Sequence, residues 1–176
     1  MTRSLGEALS LLADKGDINL ENSISRGIEK ESLRVSKDNT ISSADHPSSL
    51  GSALTNKFIT TDFSEALLEL ITPTHSSIEN VLNNLDEICK FVVEKTSETI
   101  WPSSIPCKIE NEDSIRLADY GTSNSGLLKT LYRSGLSYRY GSMMQTVSGI
   151  HYNFSFSDAF FELSLIHISE PTRQVL

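Results

Sequence analysis

Residues 27–35 read GIEKESLRV, and this short segment restricts the fold more than any other. Read as a half-buried strand, it places Glu29, Glu31, Leu33 and Val35 on one side, because residues two apart on a strand share a face. Two like charges so close repel each other unless water or a cation lies between them. A solvated surface strand meets that condition, and so does a hard divalent cation held by oxygen ligands. The segment alone leaves both readings open.

The chain of 176 residues is long enough for one domain with a real core, or for a large piece of something longer. Its 38% hydrophobic and 22% charged content is that of a globular protein. A formal charge of −8 argues against a nucleic-acid surface, which needs a dense basic patch, but not against a local site for a small anion. Apolar runs such as Ala66-Leu67-Leu68 are short and broken by acids, so no membrane span is expected. The start, MTRSLGEALSLLADKGD, carries Glu7 inside its apolar stretch and lacks a small-residue cleavage site, which makes a poor signal peptide. Cys89 and Cys107 have no CxxC or histidine companion, so neither a disulfide framework nor a zinc site is expected. The compartment reads as cytoplasmic.

Along the chain, Ser4 and Glu7 form a capping box, with Leu5, Ala8, Leu9 and Leu12 at helical spacing up to Gly16. After the strand at 27–35 comes a Lys37-Asp38-Asn39 turn, and residues 42–56 read as loop. The stretch FITTDFSEALLELITPT suits two periods. At helical spacing Asp62, Glu65 and Glu69 share a face, whereas a strand from about Glu65 to Thr72 alternates Glu65, Leu67, Glu69 and Ile71 with Ala66, Leu68 and Leu70. The proline after Ile71-Thr72 favours the strand. A helix is predicted over Ser76–Ser97, opened by a Ser76/Glu79 capping box. Its core stripe is Ile78, Val81, Leu82, Leu85, Ile88 and Val92, with Cys89 beside it as a small buried hydrophobe. Trp101-Pro102 and Ile105-Pro106 predict an extended crossing, followed by a loop over Tyr120–Gly126 and a helix from about Leu127 to Met143.

Two stretches carry further information. In YGTSNSGLLKTLYRSG, Gly121 and Gly126 have the spacing of a phosphate-binding GxxxxGK[ST] loop, but Leu127 stands where that motif needs lysine. An ordinary helix-entry loop is the plainer reading, although free N–H groups at a helix start can still bind an anion. In GSMMQTVSGIHYNFSFS, read as a strand, Ile150, Tyr152, Phe154 and Phe156 form an apolar face. Gln145, His151, Asn153 and Ser155 form a polar one, broken by Val147 and Gly149. His, Asn and Gln can bind specifically without a compulsory charge.

Together, GIEKESLRV, LGSALTNKFITTDFSEALLELITPT, WPSSIPCKI, YGTSNSGLLKTLYRSGLSYRYG and MQTVSGIHYNFSF resemble the proteobacterial type of glutamate–cysteine ligase (γ-glutamylcysteine synthetase), from near the N-terminus to about Phe156. The resemblance implies an α+β fold: a curved antiparallel sheet with flanking helices, similar to the glutamine synthetase catalytic domain and incomplete in this chain. It implies an enzyme that uses ATP as co-substrate to join the γ-carboxylate of glutamate to the amine of cysteine through a γ-glutamyl phosphate, the first step of glutathione synthesis.

Carried over by position, the resemblance implies that Glu29, Glu31, Asp62, Glu69 and His151 belong to a Mg²⁺ cluster around the ATP phosphates, with Mn²⁺ as a substitute. Tyr132 falls where the family lines its cysteine pocket, and Gln145 and Asn153 fall on the strand facing glutamate and phosphate. Imidazole is a less usual magnesium ligand, so His151 would serve partly as a hydrogen-bond donor. Lys129, Arg133 and Arg139 are cationic candidates for phosphate or carboxylate contacts, beside the plainer reading as solvated helix positions. The implied partners are glutamate, cysteine and ATP, with no nucleic acid and no membrane.

Family members are much longer chains. Residues 1–162 are therefore expected to be the N-terminal part of a single catalytic domain, and this chain alone is expected to be inactive. Residues 163–176, LSLIHISEPTRQVL, do not resemble the family continuation and read as a non-native tail, so His167 is no ligand candidate. Two rival readings stay open. One is a related ATP-dependent carboxylate–amine ligase with another amine acceptor, against which Tyr132 in its TLYR context speaks. The other is a non-catalytic ligand-binding module, which would leave Glu29, Glu31 and His151 far apart.

Overall fold

The computed structural model describes residues 24–158, together with Gly6 and Ser10. The Ser4/Glu7 capping box with its helix up to Gly16, and the tail at 163–176, lie outside the described residues. Strand β1 (Ile24–Val35) is the spine of a five-stranded sheet. On one edge it pairs antiparallel with β3 (Leu67–Ile71), which in turn pairs with β2 (Ile59–Thr61). On the other, β5 (Ile150–Phe156) runs antiparallel along Ile24–Lys30, and the short β4 (Thr99–Ile100) takes up Arg34 and Val35.

The ambiguous stretch from Phe58 to Thr74 resolves as a hairpin. Three consecutive β-branched residues, Ile59-Thr60-Thr61, form its first strand, and the Asp62 N–H donates to the Leu67 carbonyl at 3.0 Å to close the turn. The helical alternative for this stretch is not observed.

The two faces of the sheet differ. On the outer face Ile59, Leu68 and Leu70 pack with Leu50 and Val92, and with partly buried Leu85, Ile88 and Cys89 of helix α1 (Ile78–Lys95). Ser77, not Ser76, caps this helix by accepting from the Asn80 N–H, so the expected Ser76/Glu79 box gives way to a simple cap with Glu79 in the first turn. Of the predicted stripe, Val81 and Val92 are buried, whereas Ile78 and Leu82 are more than half exposed. On the inner face Leu33, Val35 and Leu67 join Ile41, Phe63, Ala66, Cys107 and Ile115 in a second core. Each fully buried side chain of this kind contributes about 1.5–3 kcal/mol. Both cysteines are free, and burial pushes both thiols up, in keeping with apolar packing.

Helix α2 (Asn124–Tyr140) starts three residues earlier than predicted, because the Ser123 hydroxyl accepts from the Gly126 N–H at 3.1 Å. Gly126 has a packing reason: a β-carbon there would lie 2.5 Å from the Tyr120 carbonyl oxygen. The loop therefore closes on its own backbone, and Gly126 is needed for that contact.

The last strand departs from expectation twice. Gln145 falls in a 3-10 turn (Met144–Thr146) before β5 and not on the strand itself. The apolar face of β5 is also open: Ile150, Tyr152 and Phe154 are more than half exposed, with Tyr152 stacked on Phe154. No helix among the described residues is long and apolar enough to cross a membrane.

Candidate active site

The β1 register assembles the acidic face. Glu29 stands directly opposite His151 on β5, and Glu31 opposite Glu69 on β3, which in turn faces Thr60 on β2. Because Glu29 and Glu31 are two apart, all four side chains lie on the inner face, just beyond the apolar core around Leu33 and Leu67. His151 Nδ1 lies 3.3 Å from Glu29 Oε2. Glu31 Oε2 accepts from the Gly149 N–H at 2.7 Å. Asn153 lies opposite Gly27, two residues beyond His151 and on the same face.

Asp62 is brought in from the end of β2. The Arg133 guanidinium of α2 pairs with its carboxylate at 3.2 Å and also donates to its backbone carbonyl. The same guanidinium sits 4.7 Å from the centre of the Tyr120 ring, on which Lys129 Nζ also rests at 5.0 Å. The Tyr120 hydroxyl donates to the carbonyls of Thr61 and Asp62. Arg133 and Tyr120 thus hold the hairpin turn that presents Asp62. That role for Arg133 carries no sequence signal beyond its being a cation on a helix.

Electrostatics ties these groups to one another. The Glu69 carboxyl is pushed up to about 7. Burial is the main cause, followed by repulsion from Asp62, Glu29 and Glu31, with His151 acting in the opposite sense. One carboxyl feels three others and one imidazole, as expected of groups aimed at a shared centre. The arrangement is open: among the described residues, no three His, Cys, Asp or Glu side chains close into a cage for a metal ion.

The remaining candidates are dispersed. Tyr132 and Arg139 project into solvent from α2, and Gln145 lies half-buried in its turn. The scattering of Glu29 and His151 expected of a non-catalytic module is not observed. Sequence reasoning also missed two buried charges behind the site. The Glu65 carboxylate accepts from the N–H groups of His46 and Asp119 at 2.8 and 2.7 Å and so pins two loops. Arg34 is 1% exposed and pairs with Glu98 at 2.5 Å.

The open antiparallel sheet with its helices has the glutamine synthetase-like fold shared by ligases of glutathione synthesis. The sequence matches the profile "Glutamate-cysteine ligase" over residues 9–174. It is 50% identical over 162 residues to the glutamate–cysteine ligase of Pseudoalteromonas translucida (strain TAC 125), an alignment covering 92% of this chain and 31% of that protein. The crystal structure of a glutamate–cysteine ligase from Francisella tularensis in complex with AMP superposes with a TM-score of 0.79 at 44% identity, over 83% of this chain and 30% of that one. A bifunctional glutathione synthetase from Pasteurella multocida gives a TM-score of 0.76 at 32% identity, over 93% of this chain and 21% of that one. The chain belongs to the glutamate–cysteine ligase family. It spans about a third or less of the length of these relatives.

Proposed function

We propose that this chain forms the cation- and phosphate-facing part of an ATP-dependent ligase that joins the γ-carboxylate of glutamate to the amine of cysteine. The observation that carries the reading is the cross-strand acidic face, on which Glu69 is raised to about 7 by burial and by its carboxylate neighbours. Arg133 answers only Asp62 on this face, and the donor set of four carboxylates and one imidazole suits a hard divalent cation. The open geometry is also suitable, because Mg²⁺ keeps several waters and takes phosphate oxygens alongside one or two carboxylates. Its one or two protein ligands would be drawn from Glu29, Glu31, Asp62, Glu69 and His151.

Mg²⁺ bound there would neutralise charge on the transferring phosphoryl group. The protein's part is to bind and orient. Glu29 and Glu31 present carboxylates from a strand paired on both edges, which keeps their spacing rigid. His151, braced by Glu29, offers its second ring nitrogen to a phosphate or carboxylate oxygen. A free carboxylate is a poor acyl donor, and a γ-glutamyl phosphate supplies the leaving group that the amine of cysteine displaces. Tyr132, Gln145 and Asn153 would line the substrate side, and Lys129 and Arg139 remain candidates for anionic contacts.

The test is a chimera. The segment of the Pseudoalteromonas translucida ligase matched by this chain is replaced with the residues found here, and ATP-dependent γ-glutamylcysteine formation is measured. Activity in the chimera that is lost with Glu29→Gln supports the reading; an inactive, folded chimera refutes it. Offering other amines in place of cysteine tests the acceptor.

A further inference from the structure

We propose that Gly149 is a positioning residue of the acidic face, its missing side chain leaving the space that the His151 imidazole and the Glu31 carboxylate share. The inference deepens the cation-site reading above and rests on it. Gly149 immediately precedes β5 and is joined to Glu31 by two hydrogen bonds. Its carbonyl accepts from the Glu31 N–H at 2.9 Å, and its own N–H donates to Glu31 Oε2 at 2.7 Å. One residue thus sets both the backbone and the carboxylate of Glu31.

A β-carbon on Gly149 would lie 3.0 Å from His151 Nε2, 3.4 Å from its Cδ2 and 3.5 Å from Glu31 Oε2. The first distance is tighter than nine in ten real β-carbon contacts, so the ring would have to give by a few tenths of an ångström. The ring's other nitrogen, Nδ1, is the one beside Glu29 at 3.3 Å. The imidazole therefore reaches from Glu29 at one nitrogen to the space beside Glu31 at the other. Residues 149 and 151 are two apart and face the same way, so a hydrogen at 149 lets the ring lie along the strand without being displaced. Backbone conformation is not the reason for glycine here. Among the described residues the glycines with positive φ are 51, 121 and 141, so alanine at 149 acts in the folded state through its methyl group and not through backbone strain.

The test uses the 176-residue chain, with Mn²⁺ as the probe. In the metal-free protein, Gly149→Ala is expected to shift the ring resonances of His151 and leave those of His75 in place; unmoved His151 resonances overturn the proposal. In Mn²⁺ titrations followed by electron paramagnetic resonance, Gly149→Ala is expected to weaken binding about tenfold, the usual size of a loss in ligand support. Glu31→Gln should also weaken it. If Glu31→Gln weakens binding and Gly149→Ala does not, the role of Gly149 is refuted while the cation site stands. If binding is indifferent to both, the cation-site reading falls and takes the inference with it. In a His151→Ala background the added methyl has no ring to displace, so Gly149→Ala should cause no further loss. A further loss there overturns the positioning role.

Discussion

Glu31 and Glu69 face each other directly across the β1–β3 ladder, a cross-strand position at which like charges destabilise the sheet. The metal-free protein is pH-sensitive through Glu69, whose carboxyl is raised from 4.5 to about 7 chiefly by burial, then by Asp62, Glu29 and Glu31. Between those values the unfolded chain has released the proton and the folded chain still holds it. The contribution is therefore neutral below 4.5, and stability falls as pH rises toward 7 and stays low above it. Thermal melts of wild type and Glu69→Gln should coincide well below pH 4.5, with wild type the less stable above pH 7. Mg²⁺ at the higher pH should narrow that gap by raising the wild type alone. Equal melts at every pH would show that neither burial nor its acidic neighbours raise Glu69 in the folded protein.

Arg133 predicts a second coupling. Its guanidinium pairs with Asp62 and lies over the Tyr120 ring, and its side chain is only 12% exposed. Removing it leaves the Asp62 carboxylate without its cation and loosens the hairpin turn. Arg133→Leu should cost about 1.5 kcal/mol in urea unfolding, the lower end for a hydrogen bond to a charged group. Arg133→Lys should recover only part of it, since an ammonium cannot reproduce the planar fork.

Behind the acidic face, Arg34 is 1% exposed and held by Glu98, whose other carboxylate oxygen accepts from Ser42. The carbonyls of Ala44 and Glu65 accept two further guanidinium bonds. Breaking a buried pair strands the remaining charge, so Glu98→Leu should destabilise by about 3 kcal/mol. Arg34→Met with Glu98→Leu should lose less than Glu98→Leu alone, because no uncompensated cation remains. Denaturant melts of both variants check this.

The parts of the fold that could be read from the sequence are those with one unambiguous period. β1 showed alternation and α1 showed a helical stripe, and both are present. The β2–β3 hairpin was obscured because its acids fit both periods, and only pairing with β1 selects the strand. The grouping of Glu29, Glu31, Glu69 and His151 was expected from resemblance and not from pattern. Glu29 and His151 are 122 residues apart in sequence, and no local signal fixes that register. Arg133 looked like a solvated helix cation, because a partner 71 residues away leaves no trace in its neighbours. The open face of β5 marks the opposite error. Alternation predicted burial for Ile150, Tyr152 and Phe154, and within the described residues nothing covers them.

The two glycines of α2 give the last prediction, a pair with opposite signs. Gly135 lies in the exposed middle of the helix, with nothing within 4 Å of an added β-carbon. Alanine there lowers the entropy of the unfolded chain and strains nothing, so Gly135→Ala should stabilise by about 0.5–1 kcal/mol. Gly126 is buried against the Tyr120 and Gly121 carbonyls, at 2.5 and 2.7 Å from the position of a β-carbon. Both contacts are with backbone, which cannot swing away as a flexible side chain would. Gly126→Ala must therefore push α2 off the Tyr120 loop, costing about 1–3 kcal/mol and disturbing the stacking of Lys129 and Arg133 on Tyr120. Urea unfolding of the two variants, with Tyr120 ring resonances as a local reporter, tests the contrast. If alanine at 126 leaves both stability and ring shifts unchanged, the tight entry into α2 is not what holds that helix in place.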